Sequence, residues 1–145
     1  MNRHLTFLRT TLDAQPDHIA VIGRDGAIQF ANHAWVRFGE NNGSDVRAWS
    51  QENYLAECDR AAAAGDPVAE QARQGVRAVL EGRRKLVSMD YPCHSPSEWQ
   101  WYRMIVTGFA DDTTRYGIVV HRNVTDEKWA ARRGDADALP EEADA

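Results

Sequence analysis

The spacing of apolar residues switches between helical and strand-like along this chain. Leu5, Leu8 and Leu12 recur at three- and four-residue intervals, which predicts an N-terminal helix that Gln15-Pro16 ends. Residues 18–23 and 27–31 flank Arg24-Asp25-Gly26, the pattern of a strand, an Asp-Gly turn and a second strand. Asn32 suits the N-cap of a short helix carrying Trp35 and Phe38, which Gly39 can end. Residues 40–50 are polar and rich in Gly and Asn, so a loop is expected there. Tyr54, Leu55, Cys58, Ala61 and Ala62 then share one helical face. Gly65-Asp66-Pro67 stops that helix and starts another, with Asp66 as N-cap and Pro67 in the first position. Val68, Ala72, Val76, Val79 and Leu80 give the second helix a buried stripe, and Gly82 closes it. Residues 85–91, 99–109 and 115–124 are rich in Val, Ile, Tyr and Trp and read as three strands. Their turns fall at 92–96 and at Asp111-Asp112. Asn123 and Thr125 can cap an exit helix, with Asp126 and Glu127 at the positive end of its dipole. Beyond Lys128 the chain is rich in Ala, Asp and Glu, the composition of a disordered tail. This order predicts an α+β fold: a five-stranded antiparallel sheet with helices on one face, an N-terminal helical cap and a C-terminal exit helix.

Composition narrows the partners. Apolar residues make up 43% of 145, enough for a core, and the formal charge of −5 argues against a general nucleic-acid binder. Arg83-Arg84-Lys85 and Arg132-Arg133 read as solvated turns. No run has the apolar length of a membrane span, and the first residues lead into a mixed segment with no apolar signal core, so a cytoplasmic location is expected. In that setting the glycosylation patterns at Asn42-Gly43-Ser44 and Asn123-Val124-Thr125 carry no weight. Cys58 and Cys93 form no disulfide framework, and Cys93-His94 lacks further ligands at metal spacing, so no metal site is expected.

The ordered motifs resemble a PAS sensory domain. Residues 19–32, the hairpin and the Asn after it, look like that family's first two strands. Trp35, Phe38 and Gly39 match the helix that follows, and Trp101-Tyr102 matches an aromatic pair in the fourth strand. Asn123-Val124-Thr125 matches the closing Asp-Ile-Thr motif, with Asn in place of Asp. The turn from Tyr91 to Pro96 resembles one in a bacterial subgroup often joined to diguanylate cyclases or histidine kinases. The resemblance spans residues 14–128 and divides the chain into a cap helix (1–16), a PAS domain (17–128), and the end of the exit helix with an acidic tail (129–145). In the family, the motif's Asp often forms an ion pair coupling the sheet to the exit helix. Asn123 can hydrogen-bond and cap but carries no charge, which puts that coupling in question. Asn123 and Thr125 are the expected signal-relay residues.

PAS relatives bind ligands between the inner sheet face and the helices. Strand alternation groups Gly117, Val119, His121 and Asn123 on one face of the last strand. It groups Tyr102, Met104 and Val106 in the fourth, and Ser88 with Asp90 in the third. The resemblance implies that the position two residues before the closing motif, here His121, faces the ligand. The expected ligand-binding set is therefore His121, Tyr102, Asp90, Met104, Val119 and Ser88. Asp90, Tyr102 and His121 could equally form a closed network of buried polar groups. His18, His33 and His94 read as turn or surface residues. Trp101, Ile105, Ile118 and Val120 fall on the outer face and need cover. With Leu5, Leu8 and Leu12 they suggest a homodimer; Leu5, Leu8, Leu12, Trp101 and Ile105 are the expected interface.

Cofactors of relatives leave marks that are missing here. The segment from Asn53 to Cys58 lacks the Asn-Cys-Arg-Phe-Leu-Gln run of light-sensing flavin proteins. Residues 66–82 contain no His, which disfavours haem, with His121 left as an unusual axial ligand. The expectation is no cofactor and no catalysis. The chain reads as a sensory module that binds a small metabolite or dimerises, and relays a signal to an output protein such as a diguanylate cyclase or histidine kinase, in trans or in a longer parent chain. The competing reading is a small α+β enzyme of the ketosteroid-isomerase or dehydratase type, with Asp90 and His121 transferring a proton in an apolar cavity.

Overall fold

A computed structural model describes residues 3–41, 53–93 and 97–134. The elements run α1 (Arg3–Asp13), β1 (His18–Ile22), β2 (Ile28–Ala31), α2 (His33–Asn41), α3 (Tyr54–Ala63), α4 (Pro67–Leu80), β3 (Leu86–Pro92), β4 (Trp101–Asp111), β5 (Thr114–Asn123) and α5 (Thr125–Gly134). The five strands form one antiparallel sheet in the order β2-β1-β5-β4-β3. The expected polar loop falls mostly outside the described residues, as does the acidic tail after residue 134. His94 lies outside them too. Helix α2 passes through Gly39 and runs on to Asn41.

Local chemistry sets the ends of these elements. Asp66 accepts from Val68 N and Ala69 N, which caps α4 directly ahead of Pro67. Asn53 caps α3 through Ala56 N at 2.8 Å, and its amide donates to Asp25 O at 3.0 Å. Tyr54 N donates to Gly26 O at 2.8 Å. The start of α3 is thereby fixed to the β1–β2 turn. Gly26 sits at φ +93, and a Cβ there would lie 2.5 Å from Leu55 Cβ, so the turn admits glycine for both backbone and packing reasons.

The inner sheet face and the helices enclose the core. Val76, Val79, Ala20, Ile22, Val106 and Val119 have no solvent exposure. Ala20 pairs with Val119, which pairs with Val106 and in turn Val87, making one apolar rung across four strands. The next rung is His18, His121, Met104 and Met89. The one polar side chain that is fully buried among the described residues is Asn32. Its Oδ1 accepts from Ile19 N and Trp35 N, both at 3.0 Å, and its Nδ2 donates to Leu12 O at 2.8 Å and Asp17 O at 3.0 Å. It is more than a cap: it joins β1, the start of α2 and the end of α1.

The outer face differs from the sequence expectation at one position. Trp101 is only 5% exposed. The exit helix of the same chain covers it: Lys128 Nζ stands 4.9 Å from its ring centroid, and Trp99 packs between Trp101 and Trp129. Trp101 is therefore not available as a dimer contact in this conformation. Ile105, Ile118 and Val120 stay half-buried, while Leu5, Phe7 and Leu8 on α1 are exposed.

Candidate functional site

At the open end of the inner face, three polar side chains meet. His121 projects from β5, Tyr91 from β3 and Tyr54 from the first turn of α3. Tyr54 Oη lies 2.9 Å from His121 Nε2, and the Tyr91 hydroxyl is hydrogen-bonded to Nδ1. Both imidazole nitrogens are thus held by phenols. Tyr54 Oη also donates to Met104 Sδ at 3.6 Å. Trp35 sets its ring edge-on to the imidazole, 5.5 Å between centroids.

The trio separates two cavities. One, of about 270 Å³, is bounded by Cys58, Ala72, Met89 and Met104 together with the trio, with the carboxylates Glu57 and Asp66 also on its wall. The other, of about 150 Å³, is lined by His18, Trp35, Phe38, Tyr54, Tyr91 and His121. Among the described residues every wall residue of the smaller cavity carries a ring, and none is a carboxylate, lysine or arginine.

Burial governs the protonation of this site. It pushes the His121 imidazole down to about 3, so the ring is neutral, and His18 on the neighbouring strand acts in the same direction. It pushes the Tyr54 and Tyr91 phenols up, and the Cys58 thiol to about 11. His18 is also lowered, chiefly by burial. All these groups are uncharged at neutral pH.

The structure divides the residues singled out in the sequence. His121, Tyr102, Met104 and Val119 lie on the inner face. Tyr102 stacks on Tyr91 at 6.1 Å, behind the smaller cavity, and Val119 is in the sealed core. Ser88 and Asp90 lie on the other face. β3 pairs Met89 with Met104 and Asp90 with Arg103, so Met89 and Tyr91 point inward where Ser88 and Asp90 were expected. Asp90 accepts from Arg103 through both oxygens, at 2.7 and 3.0 Å, and meets Lys128 at 2.9 Å. The Arg103 hydrogen bonds hold its carboxyl below the usual range, against burial and with help from Lys128. Asp90 and His121 cannot share a proton across the sheet, which removes the pair on which the enzyme reading rested. Tyr54, Tyr91 and His18 are the residues that the sequence reading missed.

The exit helix is tied to the sheet by two sets of contacts. Asn123 Oδ1 accepts from Thr125 N at 2.9 Å, and Thr125 Oγ1 accepts from Trp101 N at 3.0 Å. On the outer face Arg103 bridges Asp90 and Glu127, the latter at 2.8 Å. Charge is present at this junction, carried by Arg103, Asp90, Glu127 and Lys128 rather than by residue 123.

Comparison with known proteins agrees with this architecture. The PAS_4 family model, described as PAS fold, matches residues 12–128. The chain belongs to that family. An uncharacterised 104.1 kDa protein from the hypE 3' region of Rhodobacter capsulatus is 34% identical over 143 residues, which make up 96% of this chain and 14% of that protein. The chain thus spans a small part of that relative's length. Among solved structures, the PAS domain of Bordetella pertussis BvgS is 17% identical, with TM-score 0.59 over 95% of this chain and 100% of that one. A PAS domain from a two-component sensor histidine kinase gives 18% identity and TM-score 0.55, covering 83% of this chain and 96% of that one. A phage VqmA-DPO complex gives 17% identity and TM-score 0.59, covering 94% of this chain and 60% of that one. These likenesses show the fold, and with the family they make the chain a PAS-type signalling module. No helix among the described residues is long and apolar enough to cross a membrane.

Proposed function

We propose that this chain is a non-enzymatic sensory module that takes an uncharged small molecule into the cavities beside His121 and relays its presence through α5 to an output protein. The observation that carries this reading is the trio Tyr54–His121–Tyr91, whose hydrogen-bonding groups border two cavities between sheet and helices. A closed core would pack such groups against one another without leaving space. The likeness to the VqmA-DPO complex supports a binding role for this chain. The PAS domain from a sensor histidine kinase supports a kinase as the kind of output, and a diguanylate cyclase is the other candidate. No haem or flavin is proposed, so the purified protein should lack visible absorbance. Native mass spectrometry followed by thermal-shift titration against a metabolite panel tests the reading. His121→Ala should weaken binding of a retained or shifting ligand by about 1–3 kcal/mol. Equal ligand-induced shifts in wild type and variant would remove His121 from the site.

The relay is proposed to run through the four-residue charge cluster on the outer face, with Asn123 and Thr125 holding the helix start. Arg103→Ala should lower stability by about 1–2 kcal/mol, because it strips Asp90 of its bidentate partner in a half-buried position. Hydrogen exchange should rise across residues 125–134 more than across β1. Unchanged exchange there would show that Thr125 and the Trp cluster alone hold the helix. A homodimer through α1 and the half-buried outer stripe of Ile105, Ile118 and Val120 is also proposed, from the exposure of Phe7 and Leu8. Light scattering at high micromolar concentration should give twice the chain mass, and Leu8→Asp should return it to one.

A further inference from the structure

The hydrogen-bond chain through His121 has a direction, and that direction selects ligands. A neutral imidazole has one N–H donor and one bare nitrogen acceptor. Two proton orders are open to the chain Tyr91–His121–Tyr54. In the first, Tyr91 donates to Nδ1, Nε2–H donates to the Tyr54 oxygen, and Tyr54 donates onward to Met104 Sδ at 3.6 Å. Every proton then has an acceptor, and Tyr91 is left with unused lone pairs. In the second, Tyr54 donates to Nε2 and Nδ1–H donates to Tyr91. The Tyr91 hydroxyl proton then has no acceptor, since His121 is its one hydrogen-bond partner among the described residues, and the sulfur loses its donor. A half-buried donor left without a protein acceptor is the costlier state. Among protein partners the first arrangement is therefore favoured, and in it the Tyr91 hydroxyl oxygen is an acceptor.

Tyr91 borders the smaller cavity, where the other walls are the rings of His18, Trp35, Phe38, Tyr54 and His121. His18 and Phe38 lie 4.6 Å apart and Trp35 and Tyr54 5.6 Å apart, each pair tilted, so ring faces and edges both border the space. About 150 Å³ holds a single small ring. Among the described residues no cation lines it to balance an anion, and the imidazole is neutral.

We propose that this cavity takes a small, uncharged aromatic molecule bearing one hydrogen-bond donor, which it gives to the Tyr91 hydroxyl oxygen. The proposal deepens the sensory reading and rests on it. Binding of such a donor reinforces the resting proton order, because Tyr91 becomes a better donor when it also accepts. An acceptor-only ring must reverse the order along the whole chain, out to Tyr54 on α3. The trio thus distinguishes donor from acceptor ligands with one tautomer of His121.

Four probes test this on the intact chain: phenol, toluene, benzoate and tetramethylammonium, titrated by ligand-observed NMR. Phenol should bind about three- to tenfold tighter than toluene, the discrimination expected of one hydrogen bond. Benzoate and tetramethylammonium should bind more weakly than either. Tyr91→Phe should abolish the preference for phenol while toluene still binds. Equal affinity of wild type for phenol and toluene would overturn the donor inference and leave the cavity as a binding site. Preference for tetramethylammonium would show an aromatic cage for cations and overturn it as well. If none of the four binds, this inference falls, while the sensory reading stands or falls on the metabolite titration. Phenol preference that survives in Tyr91→Phe would move the acceptor elsewhere and refute the role of Tyr91.

Discussion

Asn32→Ala is expected to lower unfolding free energy by about 3–5 kcal/mol, and Asn32→Asp by at least as much at neutral pH. The alanine variant removes four hydrogen bonds at a side chain with no solvent exposure. It strands two amides, Ile19 N and Trp35 N, and the carbonyl Asp17 O, and leaves Leu12 O with Gln15 N alone at 3.2 Å. The aspartate variant keeps acceptors for the two amides. Its second oxygen, however, replaces the amide that serves two carbonyls, and places a charge among groups of like polarity. Urea denaturation of the three proteins measures the differences. Domains of this size have about 5–15 kcal/mol in total, so either variant should shift the midpoint far. A loss below about 1 kcal/mol would mean that water replaces the side chain, and that α1 is held by something other than Asn32.

The same residue shows what the sequence made legible. Its place after a strand and before an apolar helical pattern marks it as a cap, because capping is local chemistry. Its bonds to Leu12 O and Asp17 O join segments up to twenty residues apart, and no periodicity reports that. The Asp25-Gly26 turn, the Asp66-Pro67 start and the three late strands are legible for the same local reason. The register of β3 is not. Which face a strand turns inward depends on its pairing, and a shift of one residue exchanges Ser88 and Asp90 for Met89 and Tyr91. The apolar residues in that strand, Val87 and Met89, alternate with the polar ones, so hydrophobicity alone favoured Val87, Met89 and Tyr91 as the inner set. Extending the family position of His121 across two strand pairings points to Asp90 instead, whereas the pairing puts Asp90 beside Arg103 on the outer face. In the sequence His18 reads as a turn or surface residue at the start of a strand. The antiparallel pairing of β1 with β5 places it opposite His121, where the first residue of β1 reaches the cavity. Tyr54 was legible as a buried helical position, but its hydroxyl partner lies on a strand 67 residues away.

Acidification should destabilise the protein through His121, beginning below pH 6.5. The imidazole is neutral in the folded chain because burial lowers it to about 3, while in the unfolded chain it takes up a proton near 6.5. Between these values the unfolded state binds one more proton than the folded state, so stability falls as pH falls. At pH 5 the loss from this group is about 2 kcal/mol, at about 1.4 kcal/mol per pH unit. The groups that face the ring are Tyr54 from α3, Tyr91 from β3, His18 from β1 and Trp35 from α2. The two tyrosines are uncharged across this range. His18 is also lowered, so it adds to the same trend over a narrower window. Asp90 acts in the same direction at lower pH, because its paired carboxylate must be protonated as the chain unfolds. The contribution of His121 is isolated by difference. His121→Gln keeps a hydrogen-bonding side chain but cannot titrate, so its stability should change by about 2 kcal/mol less than wild type between pH 7 and pH 5. Parallel curves for the two proteins would mean that the folded chain admits a proton at His121. The neutral ring that fixes the proton order from Tyr91 to Met104 would then be lost, and with it the basis for choosing a donor ligand over an acceptor.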